Sequence, residues 1–143
     1  MDWKLRLFVL PETLVICRLP KDARVPPWAL TGAFFSVTRT AEELSVVCPQ
    51  SNVPEGIKKE EGWRGLKVEG PLDFSATGIL ATLITPLAKE GISVFALSTY
   101  DTDYLLVKAQ HLEKAVQILA QNGHQIEKAV QMSEFRVRSE TDR

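Results

Sequence analysis

Short apolar runs, separated by proline, glycine and charge, set the rhythm of the chain. Leu5–Leu10 (LRLFVL) ends at Pro11 and Thr13–Leu19 (TLVICRL) ends at Pro20, which predicts a hairpin or two adjacent strands. Pro26-Pro27-Trp28-Ala29-Leu30 suits the start of a short helix, because proline is tolerated in a first turn. Ala33–Thr40 (AFFSVTRT) and Glu43–Pro49 (ELSVVCP) predict a second strand pair about Ala41-Glu42. Gln50 to Gly62 is polar, and its run Lys58-Lys59-Glu60-Glu61 reads as a solvated loop or short helix. Trp63–Glu69 reads as a strand that Gly70-Pro71 ends.

The second half is clearer. Ile79, Leu80, Leu83, Ile84 and Leu87 form one apolar face at helical spacing. Ser75 or Thr77 is placed to cap that helix, Gly91 to end it, and Pro86 to kink its last turn. Ile92–Ser98 and Asp103–Lys108 predict a hairpin, and His111 to Asn122 a helix burying Leu112, Ala115, Val116 and Leu119. Gln125-Ile126-Glu127 adds a short strand. Strand, helix, strand, strand, helix, strand is the ferredoxin-like βαββαβ order. The fold class expected is therefore α+β, as two tandem ferredoxin-like modules with mainly antiparallel sheets. Module one is residues 1–68 with degraded helices, module two is 69–130, and 131–143 is a polar tail. A faint repeat supports the pairing: Phe35–Thr40 aligns with Leu97–Thr102, with Ser36/Ser98 and Thr40/Thr102 identical.

Composition narrows the function. Of 143 residues 45% are hydrophobic, enough for a packed core, and the formal net charge of −1 argues against a dedicated nucleic-acid binder. No apolar run reaches the roughly 18 residues a membrane span needs. Met1-Asp2-Trp3-Lys4 does not open a secretory leader, so the expected location is cytoplasmic. Cys17 and Cys48 sit inside apolar runs and read as buried free thiols.

Catalytic signals are poor. His111 and His124 have no partner at metal-ligand spacing, and no nucleophile elbow, phosphate loop or dinucleotide fingerprint occurs. No catalytic residue, metal or cofactor is expected. One constellation stands out. Phe74-Ser75-Ala76-Thr77-Gly78-Ile79 leads into a helix start, where backbone amides and the helix dipole favour a carboxylate. Ser98-Thr99-Tyr100-Asp101-Thr102-Asp103 lies at the end of the next strand, and Asp101 or Asp103 suits an ammonium group. Together they suit a zwitterion, although an ordinary helix cap and an ordinary hairpin turn read the same way.

At these residues the chain resembles a known family. Gly70–Ala81, Pro86-Leu87-Ala88 and Gly91–Val107, with Phe34–Thr40 upstream, are similar to bacterial tandem-ACT proteins and to the ACT pairs of the animal cytosolic arginine sensors (CASTOR). The resemblance covers roughly Leu5 to Gly123. It implies a regulatory module that binds an amino acid between ACT modules. Carried over by position, one wall of the site is Ser93 and Val94. The other is Thr77, Gly78 and Ile79 with Thr99, Tyr100, Thr102 and Asp103. The sensors have four modules and this chain has two, so the expected partner is a second copy, in a homodimer. Ala76 stands where the sensors have an acidic residue, which favours a small or neutral amino acid over arginine. Ala41, aligned with Asp103, implies no second pocket in module one. The expected function is thus non-catalytic amino-acid binding, with no nucleic acid or membrane partner. The alternative is a protein-interaction module with no small-molecule ligand.

Overall fold

The computed structural model describes residues 3–73 and 77–127. Two compact units emerge, and they are not the two halves of the sequence. Glu12–Trp63 forms one, the inserted unit; the chain on either side of it forms the other, the framing unit. The chain leaves the framing unit within its first strand, β1 (Arg6–Leu19), and returns within its fourth, β4 (Lys58–Val68). Both units are α+β or β, with mainly antiparallel pairing.

β1 corrects the first sequence expectation: LRLFVL and TLVICRL are one strand, not two. On the edge of β1 away from β4, Pro11 falls between two ladders. Arg6–Phe8 pairs in parallel with the last strand, and Leu14–Leu19 pairs antiparallel with β3 (Leu44–Pro49). A residue without an N–H breaks neither.

In the inserted unit the strand order is β2 (Ser36–Arg39), β3, β1. Its core is Val15, Cys17, Leu19, Ala29, Leu44, Val46 and Cys48, and both cysteines are buried, free thiols. Among its described residues the helical segments are two short 3-10 turns, Pro27–Leu30 and Gln50–Asn52, the first with proline in its opening position.

The run Lys58–Glu61, expected as a loop or short helix, instead opens β4. Its side chains are exposed or half-buried, whereas Trp63, Leu66 and Val68 further along are buried. Backbone pairing carries a strand through solvated charges where no apolar face is needed.

The framing unit has the predicted order: β4, α1 (Ile79–Lys89), β5 (Val94–Ser98), β6 (Asp103–Lys108), α2 (Leu112–Gln121), β7 (Gln125–Glu127). Its strands lie in the order β7, β1, β4, β6, β5. Ile79, Leu83 and Leu87 of α1 and Ala115, Ile118 and Leu119 of α2 pack into one core with Leu66, Val68, Leu105 and Val107. α1 continues past Pro86 to Lys89 and ends in a Schellman motif. Gly91, at φ 76, sends its N–H to Ala88 and Ile92 sends its own to Leu87. α2 closes identically: Gly123 bonds Ala120 and His124 bonds Leu119. His124 is buried rather than on the surface, and its Nδ1 accepts the Leu5 N–H at 3.1 Å. The tail expected from residue 131 lies outside the described residues.

Candidate functional site

Strand β4 ends at Val68, and the chain passes the cis Gly70-Pro71 bond on its way toward α1. Gly70 is required there by a close approach. A Cβ on it would sit 2.8 Å from the Asp101 carbonyl oxygen and 3.1 Å from Thr102 Cβ. The hairpin between β5 and β6 is thereby pressed against the end of β4, and two bonds hold it. Leu72 N–H donates to the Asp101 carbonyl at 2.6 Å, and the Thr102 hydroxyl, 4% exposed, donates to the Val68 carbonyl at 2.6 Å.

The hairpin tip closes on itself. Thr99 N–H donates to the Thr102 carbonyl at 2.8 Å, and Thr99 Oγ1 accepts the Thr102 N–H at 3.3 Å. Beside it, the Ser98 hydroxyl donates to Asp103 Oδ1 at 2.6 Å, across a strand pair that sets Ser98 opposite Asp103. This leaves the Asp103 carboxylate with further acceptor capacity.

The start of α1 faces this hairpin across a cleft of about 300 Å³. The helix is entered through Gly78 in the left-handed region (φ 80, ψ 1), and among the described residues no side chain caps it. Thr77 is not the cap: its carbonyl accepts the Trp3 indole N–H at 2.9 Å. Ser75 and Ala76 lie outside the described residues. The first-turn amides of a helix have no partner within the helix and carry the positive end of its dipole.

Of the residues singled out in the sequence, the cleft gathers Gly78, Ile79, Thr99, Tyr100, Thr102 and Asp103. Thr77, Ser93 and Val94 do not line it. Val94 and Ser98 are the two ends of β5, about 13 Å apart at 3.3 Å per residue. Ser98 and Asp101, also named in the sequence constellation, line the cleft as well, and it adds Leu72, Asp73 and Leu80. Leu72 and Asp73 carried no sequence signal, since they reach the site only through the close packing at Gly70. Tyr100 stands at the cleft 77% exposed. Burial, and then the nearby Asp101 carboxylate, raise the Tyr104 phenol above its ordinary range. Burial lowers Lys67, which Asp101 and Glu69 oppose. No cluster of histidine, cysteine or carboxylate able to hold a metal occurs among the described residues. No described helix is long and apolar enough to cross a membrane.

The inserted unit makes the same turn. Thr40 N–H donates to the Glu43 carbonyl at 2.9 Å, and Thr40 Oγ1 accepts the Glu43 N–H at 3.2 Å. Thr40–Glu43 is thus the counterpart of Thr99–Thr102, and the repeat read from sequence was three residues out of step. The shared turn matches Thr40 to Thr99, not to Thr102. Leu44, buried opposite Arg39, then stands where Asp103 stands opposite Ser98.

A family model described as the ACT domain matches residues 58–121, the span holding the cleft's helix start and hairpin. The chain belongs to the ACT-domain family. A second model, of an N-terminal domain, matches residues 12–56, almost the inserted unit. The ACT chain is 33% identical over 103 residues to the human cytosolic arginine sensor for mTORC1 subunit 1, across 62% of this chain. It spans only 30% of that sensor's length. A crystallised protein from Agobacterium tumefaciens is 38% identical, covers 90% of this chain and 96% of its own, and superposes with a TM-score of 0.85. The regulatory subunit of aspartate kinase from Thermus flavus shares the fold at a TM-score of 0.55 and 10% identity, covering 81% of this chain and 95% of its own.

Proposed function

We propose that this chain is a non-catalytic regulatory module that binds a small amino acid. The observation that carries the reading is the cleft of the framing unit. A helix start entered through Gly78 forms one wall, and a carboxylate-bearing hairpin the other. The amides of Gly78, Ile79 and Leu80 take the α-carboxylate. Asp103, with Asp101 behind it, takes the ammonium group. Leu72, Ile79 and Leu80 make the apolar part, and Tyr100 covers the mouth.

The framing unit is read as the ligand-holding ACT module. Ser93 and Val94, at the far end of β5, close the cleft of a second copy, so two symmetric sites form in a homodimer. The protein acts in the cytoplasm, in keeping with the cytosolic sensors it resembles. The relatives of known sequence support a sensor over an enzyme, since they include an arginine sensor.

A thermal-shift screen of the proteinogenic amino acids tests the reading. One of them, at 100 times its dissociation constant, should add about 2.7 kcal/mol of stability. Asp103→Ala should abolish the shift and keep the fold. Flat melting curves for every amino acid favour the interaction module with no small ligand. A monomer at micromolar concentration, with and without the ligand, removes the two-copy site.

A further inference from the structure

The entrance to α1 has two ways to turn, and one side chain from the start of the chain selects between them. Gly78 has φ 80 and ψ 1. Those angles belong to the third residue of a type II turn. The same ψ with φ near −90° belongs to type I. The two differ by rotation of the peptide between residues 77 and 78, and glycine accepts either. In a trans peptide the carbonyl and the following N–H point in opposite directions. Rotation would therefore reverse both the Thr77 carbonyl and the Gly78 amide.

Among the described residues no side chain caps this helix start. A restraint on its first peptides comes from elsewhere in the chain. Trp3 packs against the core of the framing unit, and its indole N–H donates to the Thr77 carbonyl at 2.9 Å. A Cβ on Gly78 would lie 3.9 Å from that same nitrogen, so the contact is close. With the carbonyl held toward the indole, the Gly78 N–H is held away from it. Gly78 lines the cleft and Trp3 does not.

We infer that Trp3 is a positioning residue that holds the 77–78 peptide in the orientation offering the Gly78 amide to a ligand carboxylate. The inference rests on the amino-acid reading of the cleft, but the peptide orientation has its own readout. It also makes the N-terminal segment a control point: whatever draws Trp3 away turns the amide and weakens binding.

Trp3→Phe keeps the ring and removes the donor. The test compares wild type and Trp3→Phe by calorimetric titration with the amino acid that the thermal screen selects, and by the NMR signal of the Gly78 amide without ligand. In Trp3→Phe the Gly78 signal should move or split while distant core amides stay in place. Affinity should fall about tenfold, the loss of one well-placed hydrogen bond. A Gly78 signal unchanged in Trp3→Phe overturns the inference, as does unchanged affinity. If wild type binds no amino acid, the functional reading fails, and the Gly78 signal alone decides on Trp3. Should Trp3→Phe fold poorly, Trp3→His tests the same point, because an imidazole N–H that restores the wild-type Gly78 signal supports the donor role and a signal left displaced opposes it.

Discussion

Two hairpins of this chain make the same four-residue turn and put it to different use. In both, a threonine opens the turn, its N–H reaching the carbonyl three residues on and its hydroxyl accepting the returning N–H. In the inserted unit the strands then set Arg39 opposite Leu44. Leu44 is buried in the core, and Arg39 donates to the carbonyls of Lys21 and Ala23. In the framing unit the same positions are Ser98 and Asp103, a hydroxyl and a carboxylate at a cleft. A turn is a local solution that many sequences reach. Its function depends on the residues just outside it and on what lies against it: here the end of β4, with the start of α1 across the cleft.

Alkaline pH should separate the hairpins most strongly. Cys48 in β3 is pushed up to about 11 from 9.0 by burial, with Cys17 adding to it. The folded state holds that proton more tightly than the unfolded chain. Its contribution is therefore complete below pH 9 and is lost as pH rises toward 11. About 2–3 kcal/mol should disappear over that window in urea unfolding, and Cys48→Ala should remove this part of the slope. A slope that survives unaltered would place the alkaline weakness elsewhere, first at Cys17, whose thiol burial also raises, and then at Tyr104.

Gly70→Ala should damage only the framing hairpin. The new methyl meets the Asp101 carbonyl at 2.8 Å, and backbone cannot give way as a flexible side chain can. The expected cost is about 1–3 kcal/mol, with NMR signals of residues 99–103 displaced. Gly62→Ala is the control. It meets open space and carries only the penalty of φ 80, about 1 kcal/mol.

Thr102→Val should cost about 1–2 kcal/mol, because it leaves the buried Val68 carbonyl without its donor. Thr40→Val, which loosens a solvent-exposed turn, should cost about 0.5–1 kcal/mol by thermal melting. Equal costs would mean that the contact with β4 adds nothing to the turn.

The sequence made the framing unit legible from α1 to β7, because helical spacing and the glycine stops at 91 and 123 are local signals. It misread three places where distant chain decides. Pro11 looked like a break, but it falls between two ladders on one strand. Lys58–Glu61 looked like loop, but its backbone pairs. The repeat was registered on Ser36/Ser98 and Thr40/Thr102, two identities that the shared turn shows to be out of step by three. The residue that stands where Asp103 stands is Leu44, not Ala41. At the candidate site, Gly78, Ile79 and the hairpin were readable as chemistry, whereas Leu72 and Asp73 arrive only through the close approach at Gly70.

The central claim is that the framing hairpin holds a ligand and its twin does not. A titration with the amino acid chosen by thermal screening, followed by backbone amide signals, tests it most directly. The account predicts one ligand per chain, with shifts at Gly78–Leu80 and Ser98–Asp103, none at Thr40–Leu44, and all of them lost in Asp103→Ala. Saturating shifts at Thr40–Leu44, or a response that persists unchanged in Asp103→Ala, would contradict it.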